Sequence, residues 1–180
     1  METSEHQGEL APKTNRRELK IFGLTAFVII ILDQITKYWA QEYLLPRRES
    51  GEGPIVLLNG LLKFTYAENT GAAFSIGTGL TWVFTMIALV VVVIIIKYSR
   101  KLGSVAWALA LGGLLGGAVG NLIDRMFRAP GPFRGFVVDF IQLPYWAIFN
   151  IADMAVVISG VSIAILLIRG YSIDGTHGVK

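Results

Sequence analysis

The sequence predicts an all-α membrane protein with four transmembrane helices and a small extracytoplasmic β-sheet in its outer loops. Of its 180 residues, 53% are hydrophobic, and the mean hydropathy is +0.58. Ordinary soluble domains are less apolar than this. The chain also contains four apolar runs, each close to the roughly 20 residues that a helix needs to cross a bilayer. These runs cover residues 21–40, 78–97, 103–124 and 147–169.

The first apolar run follows a polar, basic segment, as a secretory signal also would. It has no small-residue cleavage site and continues through Asp33 to Trp39, so we interpret it as an uncleaved span. We therefore expect a polar cytoplasmic tail over 1–20, one four-helix domain over 21–170, and a second cytoplasmic tail over 171–180.

Basic residues beside the runs predict the orientation, because cytoplasmic flanks of membrane spans are enriched in lysine and arginine. They precede the first run, separate the second from the third, and follow the fourth, so both termini are expected in the cytoplasm. The opposite loops also hold arginines, and the prediction depends on the tight flanking at the inner ends. The flanking residues are Arg16, Arg17, Lys20, Lys97, Arg100, Lys101 and Arg169.

The two outer loops contain strand-like segments. Asn59-Gly60 separates two apolar stretches, residues 55–58 and 61–66, which is a strong hairpin signal. Residues 136–141 resemble a further strand in the second outer loop. We expect a small sheet at the outer membrane surface. Aromatic residues of an interfacial belt are expected at Trp39, Tyr145 and Trp146.

The third run carries glycine at every fourth position, at Gly112, Gly116 and Gly120. In a membrane helix this spacing makes a flat face that allows close approach of a neighbouring helix. We interpret these glycines as a packing face.

Composition excludes several kinds of site. Cysteine is absent, so disulfides and thiolate chemistry are excluded. The two histidines, His6 and His177, lie in the polar tails, which leaves no credible zinc ligand set. We therefore expect no metal and no cofactor. The net charge of +3 is small, and basic residues beside apolar runs orient membrane proteins more often than they bind nucleic acid.

Four aspartates are predicted to converge near the outer ends of the spans. A single charge inside a membrane costs about 3 kcal/mol on insertion scales, so such residues are usually paired and functional. The inner ends carry lysine and arginine and no such acids. The four residues are Asp33, Asp124, Asp139 and Asp153.

Two of these acids have a basic neighbour in the sequence. Lys37 follows Asp33 by four residues, on the same helix face, and Arg125 follows Asp124 directly. These acids are consistent with structural ion pairs or, for the second, with anchoring of a substrate. The other two acids have no local basic partner and are the better candidates for chemistry.

Asp139 and Asp153 are 14 residues apart, a spacing that permits contact without requiring it. Asn150 lies on the helix face of Asp153. Two adjacent carboxylates share one proton near neutral pH, which is the arrangement an aspartic protease uses. The ionised acid takes a proton from water, and the protonated acid donates to the peptide carbonyl.

Other reaction schemes and functions are less well supported. A serine–histidine triad has no histidine in the membrane, and for a serine–lysine pair of Ser75 and Lys37 the structural interpretation of Ser75 is preferred. A transporter or proton relay would use membrane carboxylates, but the inner half has none and no inverted repeat is visible. A lipid-binding or assembly protein would explain the glycines but not two unpaired acids.

Five motifs in order resemble those of the lipoprotein signal peptidases, also called signal peptidase II or prolipoprotein signal peptidase. Each motif alone is weak, but five in order on a four-span chain of this size are highly specific. They are Asp33-Gln34-Ile35-Thr36-Lys37, Asn69-Thr70-Gly71-Ala72-Ala73-Phe74-Ser75, Gly117-Ala118-Val119-Gly120-Asn121-Leu122-Ile123-Asp124-Arg125, Val137-Val138-Asp139-Phe140 and Phe149-Asn150-Ile151-Ala152-Asp153.

The resemblance implies an aspartic endopeptidase of the bacterial inner membrane, with its active site toward the extracytoplasmic face. Its substrates would be diacylglyceryl-modified prolipoproteins, cut on the amino side of the lipid-modified cysteine. The catalytic pair of the family falls on Asp139 and Asp153. Supporting and substrate-binding positions fall on Asp33, Lys37, Asn69, Gly71, Asn121, Asp124, Arg125, Asn150 and Ala152.

The resemblance also implies partners and architecture. Membrane lipid and a globomycin-type inhibitor are expected to bind, no nucleic acid is expected, and we expect a monomer. The family fold has four helices, an outer β-cradle and a short interfacial helix. This chain departs from it in a longer linker from Arg125 to Asp139, a shorter connection from Asp139 to Asp153, and an extended N-terminal tail.

Overall fold

The structure is a computed structural model that describes residues 16–71 and 80–176. Its four α-helices are long and apolar enough to cross a membrane, and a three-stranded antiparallel sheet accompanies them, which confirms the predicted fold class. The helices are α1 (Arg16–Glu49), α2 (Thr81–Ser99), α3 (Val105–Phe127) and α4 (Ile151–Ile168), and the strands are β1 (Ile55–Leu57), β2 (Leu62–Asn69) and β3 (Val137–Gln142).

Helix α1 is longer than its apolar run. It begins at Arg16, inside the predicted polar tail, and ends at Glu49, beyond residue 40 where the run ends. Its 34 residues correspond to about 51 Å of helix, whereas the hydrocarbon core of a bilayer is about 30 Å thick. The C-terminal part of α1, beyond its apolar run, therefore extends past the membrane core and supports the sheet.

Helix α4 begins at Ile151, later than the predicted start of the fourth run, because Asn150 caps it. The Asn150 side chain accepts a hydrogen bond from the Asp153 backbone, and the Asp153 side chain accepts one from the Asn150 backbone. This reciprocal capping box satisfies two amide groups at the helix start. It also fixes the direction of the Asp153 carboxylate.

Helix α3 packs against the three other helices, and its glycines allow the close approach. A Cβ atom on Gly112 would lie 2.7 Å from the Phe22 carbonyl oxygen, and one on Gly116 would lie 2.9 Å from the Ala26 carbonyl oxygen. Gly117 faces the backbone of α4 at Ala152. The predicted glycine packing face is confirmed, and it serves α1 and α4 together.

The predicted hairpin is present as β1 and β2, but its turn differs from the prediction. Leu57 pairs with Leu62, so four residues connect the strands, not the two of an Asn-Gly turn. Leu58 and Asn59 have φ angles of 49° and 54°. A leucine in this left-handed region costs roughly 1–2 kcal/mol.

A β-bulge between β2 and β3 sets which side chains face the bundle. Phe64 pairs with Ile141, whereas Ala67 pairs with Asp139, so β2 holds one extra residue between these pairs. Because successive strand residues face opposite sides, one extra residue changes the face that β2 presents. The bulge places Asn69 on the same face as Asp139.

The sheet rests on the C-terminal part of α1. Trp39 meets the ring of Phe64 edge-on with centroids 5.6 Å apart and that of Phe140 at 6.2 Å. Leu44 and Val138 belong to the same buried cluster.

Between residues 50 and 71 and between 128 and 150 the loops contain no helix other than a 3-10 turn at Leu58–Gly60. The short interfacial helix implied by the family resemblance is therefore not found in those segments.

Gly116→Ala should destabilise the helix bundle, because the added Cβ would lie 2.8 Å from the Ile29 Cβ atom and 2.9 Å from a backbone oxygen. Overpacking of this kind costs about 1–3 kcal/mol. Thermal unfolding in detergent micelles measures the effect. Gly160→Ala is the matched control, since nothing lies within 4 Å of its Cβ position, and it should not lower the melting temperature. Equal melting temperatures for both variants would contradict this packing role.

Candidate active site

Lys37 is the centre of a buried polar network at the end of the bundle where α3 ends and α4 begins. Its ammonium nitrogen lies 2.8 Å from Asp33 Oδ2 and 3.0 Å from Asp124 Oδ2, and it donates to Asn121 Oδ1 at 2.9 Å. Lys37 and Asp33 are fully buried. The three contacts use all three donors of the ammonium group. The interaction expected from the spacing of Asp33 and Lys37 is present, and it includes a second carboxylate.

Asp124 makes further contacts that join α3 to the sheet. Its Oδ1 atom pairs with Arg128 Nε at 2.8 Å, and its Oδ2 atom accepts from the Val138 backbone at 3.1 Å. The sequence suggests an ion pair between Asp124 and its neighbour Arg125. In the structure the basic partners of Asp124 are instead Lys37 and Arg128. Sequence reasoning missed Arg128, although its separation of four residues from Asp124 is a usual signal for a helical ion pair.

Arg125 points to the loop after β2. Its Nη2 atom donates to the Gly71 carbonyl at 2.7 Å, and the Gly71 amide donates to Asn69 Oδ1 at 3.0 Å. Its guanidinium lies 5.9 Å from the centre of the Phe84 ring. The Nη1 atom is buried without a hydrogen-bond partner in the described segments. Arg125 thus fixes the Asn69–Gly71 turn and keeps one donor for another group.

Asp33 links α1 to the start of α4. Its Oδ1 atom accepts from the Ala152 backbone at 2.9 Å. Gln34, which sequence reasoning did not single out as a site residue, donates to Asp33 Oδ2 and to the Gly120 carbonyl, each at 3.1 Å. A Cβ on Gly120 would lie 2.7 Å from Asp33 Oδ2. The absence of a side chain there leaves room for the buried carboxylate.

Asp139 lies on β3 and is 2% exposed. Its Oδ1 atom accepts from Asn150 Nδ2 at 2.6 Å, and its Oδ2 atom accepts from Asn69 Nδ2 at 2.9 Å. Burial, with repulsion from the Asp153 carboxylate as the next cause, raises the pKa of Asp139 to about 7. A carboxyl group with this pKa is a suitable proton donor near neutral pH.

Asp153 lies in the first turn of α4 and is partly exposed. Its Oδ1 atom accepts from Asn121 Nδ2 at 2.8 Å, and its Oδ2 atom accepts from the Asn150 backbone at 3.2 Å. Asn150 therefore contacts both acids, through its side chain to Asp139 and through its backbone to Asp153. The salt bridges found in the described segments involve neither Asp139 nor Asp153.

A cavity of about 370 Å³ opens beside Asp153, and its wall includes Asn69, which donates to Asp139. One part of its wall is polar and the other is apolar, which suits a peptide backbone with an apolar group attached. Two larger grooves, of about 590 and 620 Å³, have almost wholly apolar walls and no carboxylate, so they are not candidates for the chemistry. The wall of the smaller cavity includes Asn69, Gly71, Asn121, Arg125 and Asp153 on the polar side and Trp146, Phe149, Val156 and Val157 on the apolar side.

The structure brings all eleven predicted site residues into one connected set. Direct hydrogen bonds or ion pairs link them from Asp33 through Lys37 and Asn121 to the two candidate acids. Lys37 is held by two carboxylates, so the serine–lysine alternative loses its base. Ser75, His6 and His177 lie outside the described residues. In the described segments no three histidine, aspartate or glutamate residues form a group suited to a metal.

Comparison with known proteins gives a consistent result. Residues 25–169 match the family model described as signal peptidase (SPase) II. The lipoprotein signal peptidase of Mycobacterium tuberculosis strain H37Rv is 46% identical over 91% of this chain and 78% of its own length. That of Mycobacterium avium is 43% identical over 94% and 91%. A bacterial membrane enzyme solved by the in meso method superposes with a TM-score of 0.71 at 27% identity, covering 90% of this chain and 96% of its own.

Lys37→Met should destabilise the protein strongly, because Asp33 and Asp124 would lose their shared buried cation. Removing one partner of a buried ion pair costs about 3–5 kcal/mol. The double variant Lys37→Met/Asp33→Asn should lose less, since one uncompensated charge is removed while the amide oxygen still accepts from Ala152. Chemical unfolding in micelles gives both free energies. A double variant less stable than Lys37→Met alone would argue against the charge-compensation role.

Proposed function

This chain belongs to the signal peptidase II family, whose members remove signal peptides from prolipoproteins, and we propose that Asp139 and Asp153 are its catalytic aspartic dyad. The observation that carries the proposal is the linkage of the two acids through Asn150, without an ion pair to either, next to a cavity whose wall includes Asp153. Every other buried aspartate of the network is paired with lysine or arginine.

The proposed substrate is a diacylglyceryl-modified prolipoprotein, cut on the amino side of the lipid-modified cysteine. The polar wall of the cavity can bind an extended backbone through Asn69, Gly71 and the unpaired Nη1 donor of Arg125. The apolar wall, which includes Trp146 and Val157, suits acyl chains or apolar side chains. A globomycin-type cyclic peptide would compete for the same cavity.

The proposed reaction begins with the dyad holding one proton. We assign this proton to Asp139, because burial raises its pKa to about 7. The Asp153 carboxylate takes a proton from water, the oxygen of that water attacks the peptide carbonyl carbon, and Asp139 protonates the carbonyl oxygen. Asp153 then passes its proton to the amide nitrogen, the carbon–nitrogen bond breaks, and Asp139 recovers a proton from the diol. The dyad returns to its starting state without a cofactor.

The remaining residues support this reaction. Lys37, Asp33 and Asp124 form a charge-compensated ion cluster beneath the site. Asn121 accepts a hydrogen bond from Lys37 and donates one to Asp153, so it connects this cluster to the dyad and orients Asp153. Ala152 fixes the start of α4 through its bond to Asp33. We propose that these groups orient the dyad and do not exchange protons with the substrate.

The protein is a multi-pass bacterial membrane protein, and we propose that its termini are cytoplasmic and that the dyad faces the extracytoplasmic side. Lys97 in the last turn of α2, Lys101 between α2 and α3, and Arg169 after α4 support this orientation. The dyad lies at the opposite ends of α3 and α4 from these basic residues. Residues 21–170 would act as one peptidase domain and as a monomer, because one chain supplies the whole network.

Asp139→Asn and Asp153→Asn should each reduce cleavage by at least about 10³-fold, because each removes an acid or base that the reaction needs. Purified protein and a diacylglyceryl-modified prolipoprotein provide the assay, and mass spectrometry of the products locates the cut. Asp174→Asn is the matched control, since Asp174 is an acid of the C-terminal segment whose side chain, within the described part of the chain, hydrogen-bonds to Thr176; this variant should cleave normally.

Unchanged melting temperatures would show that the two inactive variants remain folded. Normal cleavage by either variant would refute the dyad. A proton flux across vesicles that both variants lose, with no cleavage by the native protein, would favour the transporter alternative.

The cleavage rate should fall as the pH rises above about 7, where Asp139 loses its proton. The sign follows from its role as an acid, because the raised pKa keeps the active protonated form below that pH and depletes it above. The slope should approach about tenfold per pH unit. Melting temperatures at the same pH values control for unfolding. A rate that stays constant or increases between pH 7 and 9 would contradict the assignment of the proton to Asp139.

A further inference from the structure

The tip of the β1–β2 hairpin exposes a cluster of apolar side chains. Val56, Leu57, Leu58 and Leu61 are each at least 40% exposed, and Leu58 reaches 70%. No charged residue occurs between Pro54 and Leu62. We call these four residues the hairpin tip. Several leucines grouped on one exposed turn are unusual for a surface that faces water alone.

The backbone of the hairpin tip supports the same conclusion. Leu58 adopts a left-handed conformation with φ of 49°, which glycine or asparagine would adopt at lower cost. A leucine that is both strained and exposed gains little within the protein. Strained residues of this kind indicate a function in which the side chain meets another partner.

The position of the hairpin tip identifies that partner. Phe64, which pairs with Ile55 in the hairpin, contacts Trp39 at a centroid distance of 5.6 Å. Trp39 lies two residues beyond the buried Lys37 on α1. Its neighbour Tyr38 is largely exposed. Tryptophan and tyrosine are enriched at membrane–water interfaces, and the first apolar run ends at residue 40, beside Trp39. Leu61 is three residues from Phe64, at most about 10 Å along an extended chain, so the hairpin tip lies close to the contact with Trp39.

We propose that the hairpin tip inserts into the acyl-chain boundary of the bilayer leaflet nearest the dyad. Its leucines would bury their exposed surface among lipid chains, as the lipid-facing residues of the four helices do. Asn59 and the backbone of the turn would remain among the headgroups. The favoured occupant is lipid, because the tip is uncharged and lies close to the Phe64–Trp39 contact at the end of the first apolar run.

Insertion would anchor the sheet at a second point. Strand β2 begins beside the hairpin tip and ends at Asn69, whose side chain holds Asp139 at 2.9 Å. A displacement of the lipid leaflet would therefore be transmitted along β2 to Asn69 and could change its hydrogen bond to Asp139. This inference depends on the four spans and not on the proposed cleavage, so it can fail while the dyad assignment stands.

Single-site spin labelling tests the proposal directly, because the native chain contains no cysteine. Leu58→Cys and Leu61→Cys carry a nitroxide, and Glu49→Cys at the end of α1 is the polar control. Each full-length protein is reconstituted into phosphatidylcholine vesicles. Power-saturation measurements then compare label accessibility to oxygen, which concentrates in the bilayer, with accessibility to a water-soluble nickel chelate.

The expected result is a severalfold higher oxygen-to-nickel ratio at residues 58 and 61 than at residue 49. Equal ratios at all three sites would overturn the proposal. Spin–spin broadening between labels on residue 58 that persists on dilution with lipid would also overturn it, because it would assign the tip to a second copy of the chain. The ratios at residues 58 and 61 should agree, because a distortion caused by one label would affect only one of the two sites.

Leu58→Asn separates insertion from packing within the protein. Asparagine is compatible with the left-handed backbone, so the melting temperature in micelles should not fall. The label on Leu61→Cys should nevertheless become more accessible to nickel in vesicles when Leu58→Asn is added. A lowered melting temperature with unchanged accessibility at residue 61 would show that Leu58 serves the protein interior and would refute insertion.

Discussion

The buried ammonium group of Lys37 is the interaction on which the rest of the site depends. It lies between two carboxylates from different helices, Asp33 on α1 and Asp124 on α3. An unpaired charge in a low-dielectric interior is costly, and this cation compensates both carboxylates. Each acid in turn fixes another element, because Asp33 binds the start of α4 at Ala152 and Asp124 binds β3 at Val138. One charge therefore sets the mutual positions of three helices and a strand.

Charge balance connects this network to the proposed chemistry. Lys37, Arg125 and Arg128 supply three positive charges beside four aspartates. A dyad that holds one proton leaves three negative charges, so the cluster is then neutral. Both dyad acids contact amides and not cations. Amide side chains donate and accept hydrogen bonds without a charge, so Asn69, Asn121 and Asn150 can order the two acids while leaving their proton free to move.

Two backbone features give the site its space and its direction. Glycines on α3 allow α1 and α4 to approach closely, and Gly120 leaves room for the Asp33 carboxylate. The β-bulge turns Asn69 toward Asp139, which an unbroken ladder would have turned away. The proposed dyad is thus assembled from a strand and a helix start, and Asn150 connects its two acids. Rigid elements hold catalytic groups more accurately than free loops do.

Much of this protein was determined by the sequence itself. Four long apolar runs predicted the membrane spans, since a bilayer is the environment that covers so much apolar surface. Glycine spacing and the Asn-Gly signal predicted the helix packing face and the hairpin. Five ordered motifs predicted the family and the residues of the site. The tertiary structure decided the partners. Asp124 pairs with Lys37 and Arg128, although Arg125 is its neighbour in sequence, and the hairpin turn has four residues, although Asn-Gly favours two. Local spacing describes only one helix or strand at a time, whereas buried charges take partners across elements. The sequence divided the aspartates by their local neighbours, but the partners across elements, such as Lys37 for Asp124 and Asn150 for Asp139, became visible only when α1, α3, β3 and α4 were packed together.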